Sequence, residues 1–311
     1  MKSARTITLS ILSTLTAISS FFGLATQAQQ LDQPNLIQSF PVGALPWEMA
    51  FDGENIWVTS LGDTSMTKLR ASDGANLGTF YAGGSSFFAT FDGANIWTTN
   101  YYENSVSELR ASDGMLLATY PVQTGPTGIL FDGANIWVAN QGSDTVSKLR
   151  ASDGTLLGNF AAGDGPIDFA FDGANIWVTN FGAGTVSVLR ASDGSLLHTL
   201  PSGSGTTGIV SDGPHMWVSN DIDDTINEFR VADGTLLDTF TAGTIPRQLT
   251  FDGAKIWIAS SGDNTVLRLR RNDGAILKTY DVDDFPTGVL WDGTSIWVAN
   301  YYGNTVNKIS R

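Results

Sequence analysis

The chain is predicted to be all-β, a seven-bladed β-propeller with four antiparallel strands per blade. Three observations lead there. Tryptophans recur at a constant spacing of 40 residues: Trp57, Trp97, Trp137, Trp177, Trp217, Trp257 and Trp297. Each copy holds four short runs rich in Ile, Val, Phe, Trp and Thr, separated by turn residues. No copy carries an apolar 3.6-residue period long enough for a helix. A period of this length, repeated in series, marks one supersecondary unit copied along the chain. Four antiparallel strands per unit make a propeller blade.

The third copy shows the elements in order, innermost first. Strand A covers residues 127–131, B 136–140, C 145–150 and D 155–160. Asp132-Gly133 separates A from B, and Asp153-Gly154 separates C from D, as tight hairpins require. FDGANIW recurs at 91–97, 131–137 and 171–177, and LRASDG at 69–74, 109–114, 149–154 and 189–194. The tryptophans are expected to fill the contacts between blades, each burying roughly 150–250 Å². The last copy stops at strand C, while residues 35–40 form a surplus strand before the first copy. That strand is expected to complete blade seven as its outer strand, so that no edge is left open.

Residues 1–28 read as a signal peptide: Lys2 and Arg5, then an apolar stretch to Ala25, then small Thr26 and Ala28. The remainder, 31–311, is expected to be one propeller domain, secreted or periplasmic, monomeric, with no membrane insertion after cleavage. The chain has no cysteine, so stability must come from burial alone. The formal charge of −14 becomes −16 without Lys2 and Arg5, which argues against nucleic acid and anionic membranes as partners. Thirteen Asp residues belong to the two Asp-Gly turn series. Arg70, Arg110 and their four equivalents sit three residues before the second Asp, a spacing for local ion pairs.

The unit P-x-G-I-x-F-D-G-x-x-I-W-V-x-N, followed by T-V-S-K-L-R and D-G-x-L-L, resembles the YVTN-type propeller repeats and the repeats of streptogramin B (virginiamycin B) lyases. The resemblance covers residues 35–311 and implies the fold. It is not a WD40 repeat, because the Gly-His signature is absent.

The A–B and C–D turns share one face of the disc and are nearly uniform. The B–C and D–A loops share the other face and vary, so ligand-binding residues are expected there. The candidates are Trp47, Glu48, Phe87, Phe88, Tyr101, Tyr102, Asp168, Phe181, Arg247, Gln248, Tyr301 and Tyr302. Tyr301, Tyr302, Trp47, Tyr101 and Tyr102 are expected to form one arc. Glu48, Phe88, Asp168 and Gln248 replace a glycine seen at Gly128, Gly208 and Gly288, at the rim of the channel.

The lyase resemblance implies a His base and Glu residues with Mg²⁺ at the channel mouth. This chain has two histidines, His198 in a strand D and His215 in an A–B turn, and neither is expected to reach the mouth. No catalytic residue and no metal ligand is therefore assigned, and no cofactor is expected. The expectation is a non-catalytic scaffold that binds a ligand or a protein. The alternative is a metal-dependent lyase or lactonase, with Ca²⁺ or Mg²⁺ at the channel mouth near Glu48 and Asp168.

Overall fold

The computed structural model describes residues 37–310; the signal-peptide reading of 1–28 lies outside the described residues. Within them are seven four-stranded antiparallel sheets. In six blades the four strands are consecutive, as in blade one: Pro46–Phe51, Asn55–Ser60, Ser65–Arg70 and Asn76–Tyr81. Blade seven combines Pro286–Trp291, Ser295–Asn300 and Thr305–Ser310 with the N-terminal strand Ile37–Pro41. That strand pairs in register from Ile37 opposite Ile309 to Pro41 opposite Thr305. The ring thus closes by joining the two ends of the propeller. Outside the strands the regular elements are two single-turn 3₁₀ segments, Gln141–Ser143 and Ser261–Asp263, both in B–C loops. No helix of the described residues is long and apolar enough to cross a membrane.

All seven repeat tryptophans are buried and lie between blades. Trp297 of blade seven packs on Met49, Ile56, Val58 and Leu69 of blade one, and Trp57 of blade one packs on Ile96 and Ala111 of blade two. Burying an indole demands a partner for its N–H. The first Asp of each repeat provides it: Nε1 of every one of the seven donates to the Asp five residues earlier, at 2.7–3.1 Å. The other carboxylate oxygen accepts backbone N–H groups of the same A–B turn, as Asp132 does from Ala134 and Asn135. These aspartates therefore anchor the core as well as shape the turn. Those with a resolved shift, Asp52, Asp132 and Asp172, titrate below the usual carboxylate range; burial works against this, and the bonds from Trp, Asn and backbone outweigh it.

The second Asp series behaves as its spacing suggests. Six Arg–Asp pairs at i,i+3, from Arg70–Asp73 to Arg270–Asp273, lie half exposed at 2.8–3.2 Å. The glycine after it has a second role. An aromatic or leucine from strand D of one blade covers the turn glycine of the next: Phe40 over Gly74, Phe80 over Gly114, Tyr120 over Gly154 and Phe160 over Gly194. Each of these glycines has positive φ, and an added Cβ would fall within 2.2 Å of the ring. A side chain is thus excluded on both counts.

Lysines in strand C tie some blades together. Lys68 and Lys148 each donate Nζ at 2.7 Å to an alanine carbonyl of the following blade, Ala111 and Ala191. Lys308 does so across the closing joint, to Ala71 at 2.7 Å and Ser72 at 2.9 Å, with its ammonium over Trp297. Lys308→Met keeps the stem and removes these bonds. It is expected to cost about 1–3 kcal/mol in denaturant unfolding, because two carbonyls lose a charged donor in a buried place. An unchanged midpoint would show that the joint does not depend on it.

Candidate functional site

The site is built by a break in register. In all seven blades the pairing of strand A with strand B shifts between its first and fourth residues, as between Pro126 and Ile129. The two residues inside the break are the variable pairs: Trp47-Glu48, Phe87-Phe88, Thr127-Gly128, Ile167-Asp168, Thr207-Gly208, Arg247-Gln248 and Thr287-Gly288. Such an irregularity re-aims side chains at the end of a strand. In four blades a hydroxyl on strand B bridges the break. Thr59 Oγ1 accepts from Glu48 N at 2.9 Å and donates to Phe87 O of the next blade at 2.9 Å. Thr99, Thr179 and Ser219 repeat the pattern.

The second residue of each pair faces the channel, where neighbouring strands crowd. A Cβ on Gly128 would lie 2.3 Å from Ile167 O, on Gly208 2.5 Å from Arg247 O, and on Gly288 2.7 Å from Trp47 O. Each glycine adjoins a blade that carries a larger group: Asp168, Gln248 or Glu48. The glycines make the room that these polar groups occupy. Asp168 Oδ2 accepts from Ile209 N at 3.2 Å and is also bonded by Gln248. Burial nevertheless pushes Asp168 up to about 7. Burial raises Glu48 well above its usual range too, and the Asp168 charge adds to this. Glu48 Oε2 is sealed from solvent and has no hydrogen-bond partner.

Above these carboxyl groups lies a cavity of about 300 Å³. Eight of the twelve expected residues line it: Trp47, Phe87, Phe88, Tyr101, Tyr102, Phe181, Arg247 and Gln248. Glu48 and Asp168 do not line it, although Phe88 and Gln248, which hold the same second position of the break, do. Tyr301 and Tyr302 do not line it either, and instead extend its aromatic wall outward. Ring contacts run without interruption from Tyr302 to Tyr301 (4.9 Å), Trp47 (5.5 Å), Phe87 (4.7 Å), Tyr101 (5.7 Å) and Tyr102 (5.1 Å). The arc across blades seven, one and two is therefore present.

Sequence reasoning missed several members. Gln141 accepts from the Tyr101 hydroxyl at 3.2 Å, and Asp221 lies 3.7 Å from Arg247 Nη2. Both stand where Tyr101 and Phe181 stand in their own repeats, so alignment of that column was the available signal. Phe285 was missed for another reason. It touches Tyr302 at 5.1 Å and Arg247 at 5.7 Å from a φ of +60°. Leu45 and Ile245 occupy the same column at +53°, where Gly125, Gly165 and Gly205 serve other blades. A left-handed bulky residue costs roughly 1–2 kcal/mol. The strain is held by side-chain acceptors of the preceding blade: Asn304 for Leu45, Asp224 for Ile245 and Asn264 for Phe285.

The histidines lie where the blade reading puts them. His198 is in the outer strand Leu196–Pro201. His215 begins the strand His215–Asn220 at the uniform face, 3.1 Å from Glu228 and 3.4 Å from Asp212. Among the described residues there is no cluster of three or more His, Cys, Asp or Glu suited to a metal.

No protein-family profile matches the chain, and no curated protein matches its sequence. Solved structures do match. A streptogramin B lyase superposes with a TM-score of 0.76 at 21% identity, over 88% of this chain and 97% of that one. A catalytically inactive virginiamycin B lyase variant from Staphylococcus aureus, with quinupristin, gives 0.77 at 19%, over 89% and 99%. Hydrazine synthase of Kuenenia stuttgartiensis gives 0.77 at 16%, over 92% and 99%. The likeness is one of fold. This chain has a streptogramin B lyase-like propeller, and the same fold carries unrelated chemistry in its neighbours, so activity has to be argued from the site.

Proposed function

We propose that the chain is an exported scaffold that binds a ligand or a partner at its channel-mouth face without catalysing a reaction. The observation that carries this reading is the continuous aromatic arc bordering a polar-floored cavity. Rigid aromatic walls with a few polar groups are the usual make-up of a small-ligand site, and Tyr and Trp give contact area at low entropic cost. The site offers no imidazole or thiol for proton transfer; Glu48 and Asp168 do not line the cavity, and the carboxylate that does, Asp221, stands beside Arg247. The rival reading is a metal-dependent lyase or lactonase using Glu48 and Asp168. Calorimetry with Ca²⁺ and Mg²⁺ separates the two: a stoichiometric site tighter than about 100 μM, lost in Glu48→Gln with Asp168→Asn, would favour the rival.

The direct test is Tyr101→Ala combined with Tyr302→Ala. It is expected to leave the melting temperature nearly unchanged and to weaken binding of any ligand found by a thermal-shift screen by about 2 kcal/mol. His215→Ala, on the uniform face, is expected to leave that binding intact. If only the His215 variant loses it, the working face is the opposite one.

A further inference from the structure

We propose that the cavity takes a small organic monoacid, with its carboxylate on Arg247 and a flat apolar ring on the aromatic arc. The proposal rests on the channel-mouth face being a binding site and names the chemistry it selects.

The argument starts from the Arg247 side chain. It projects from the register break of blade six, crosses to Trp47 of blade one (5.2 Å) and touches Phe285 before blade seven (5.7 Å). Among the described residues its guanidinium donates no hydrogen bond. Its one ionic neighbour, Asp221, is 3.7 Å away, beyond hydrogen-bonding distance, and Nε is buried without a partner. The side chain is 23% exposed and lines the cavity. A largely desolvated guanidinium with all of its donors uncommitted is costly to keep in a fold. The other arginines with resolved ion pairs of the repeat type are matched to an Asp at close range. Arg247 is the one placed against rings in the cavity, and a guanidinium fork matches a carboxylate in shape and charge.

Two further observations narrow the ligand. Much of the remaining wall is aromatic, with Trp47, Phe87, Phe88, Tyr101 and Phe181, and polar groups such as Gln141, Thr207 and Gln248 interrupt it. A ring-bearing body is therefore preferred over a hydrated one. The surroundings also limit its charge. Asp221 stands beside the guanidinium, and the chain as a whole carries −14. A dianion meets repulsion from both, whereas a monoanion replaces the loose Asp221 contact with a bonded one.

The test uses three indole probes of one shape, indole-3-acetate, its neutral amide and tryptamine, with phenyl phosphate as an aryl dianion, each titrated into the full-length mature protein by calorimetry. Indole-3-acetate is expected to bind about tenfold or more tightly than the amide. In Arg247→Gln that preference should vanish while the amide's affinity stays the same. In Trp47→Ala acid and amide should weaken together. Because Arg247→Gln leaves Asp221 unpaired, the double variant Arg247→Met with Asp221→Asn, which removes both charges, is measured beside it and should lose the preference too. If the amide or tryptamine binds as well as the acid and depends on Trp47, the cavity is a binding site but not an acid site, and the proposal falls alone. Tighter binding of phenyl phosphate would overturn the monoacid assignment. If no probe binds, the proposal fails; if the Tyr101 and Tyr302 variant also leaves every screened ligand unaffected, the binding reading fails with it.

Discussion

Removing the N-terminal segment through Pro41 is expected to lower the melting temperature by about 10 °C or more, or to leave the protein aggregated. The strand Ile37–Pro41 contributes five register pairs to blade seven. It also brings Phe40, whose ring lies 5.8 Å from that of Trp297 and covers Gly74 of blade one. Losing an aromatic from such a contact costs roughly 3–5 kcal/mol by itself. Ser39 bonds Asp283 at 2.5 Å, so the loss reaches the mouth-side loops. Strand Thr305–Ser310 would then be an open edge, a template for pairing with another chain. Differential scanning calorimetry with light scattering measures both outcomes. A truncated protein that melts like the full chain would mean the ring is held by its inner strands alone. Strand A of blade one still lies against strand A of blade seven without the segment, so the two outcomes separate these sources of closure.

What could be read in advance follows from what repetition reveals. A constant column states that a residue is needed, and the Trp and Asp-Gly columns located every strand. It does not state what the residue touches. The first Asp of each repeat looked like a turn former, and its bond to the tryptophan N–H five residues on became visible only with the indole buried. The variable columns were legible as a face, since alternation of loops across a blade is forced by antiparallel pairing. Their depth was not. Glu48 and Asp168 fall below the cavity although Phe88 and Gln248 of the same column line it, and Tyr301 and Tyr302 fall outside it although Tyr101 and Tyr102 line it, so position in the repeat does not fix depth. Phe285 escaped because a left-handed turn residue is sought among glycines, and here a side chain from the neighbouring blade holds the strained backbone in place.

The channel carboxyl groups lead to the second large effect: the protein is expected to be more stable at pH 5 than at pH 8. Asp168 is pushed up to about 7 by burial, with bonds from Phe169 N, Ile209 N and Gln248 offsetting only part of it. Glu48 is raised in the same direction. In the unfolded chain both ionise near 4. For Asp168, between about pH 4 and pH 7 the folded state holds a proton that the unfolded state has released, so stability falls as pH rises through that window; Glu48 acts in the same direction. A carboxyl group ionising near 7 rather than near 4 carries roughly 4 kcal/mol, which is on the order of 5 °C or more in melting temperature. Below pH 4 the sign reverses, because Asp52, Asp132, Asp172 and Asp193 are held low by their bonds and lose them on protonation. Stability should thus peak near pH 4. Asp168→Asn keeps an acceptor for Ile209 N and removes the titration. It is expected to melt higher than the natural protein at pH 8 and at about the same temperature at pH 5. If the natural protein melts no lower at pH 8, or if Asp168→Asn is destabilising at both pH values, the channel carboxyl groups are not strained by burial. The pH-dependent part of the stability would then have to come from elsewhere in the ring, such as Glu108 and Glu228 on the uniform face, which burial also raises.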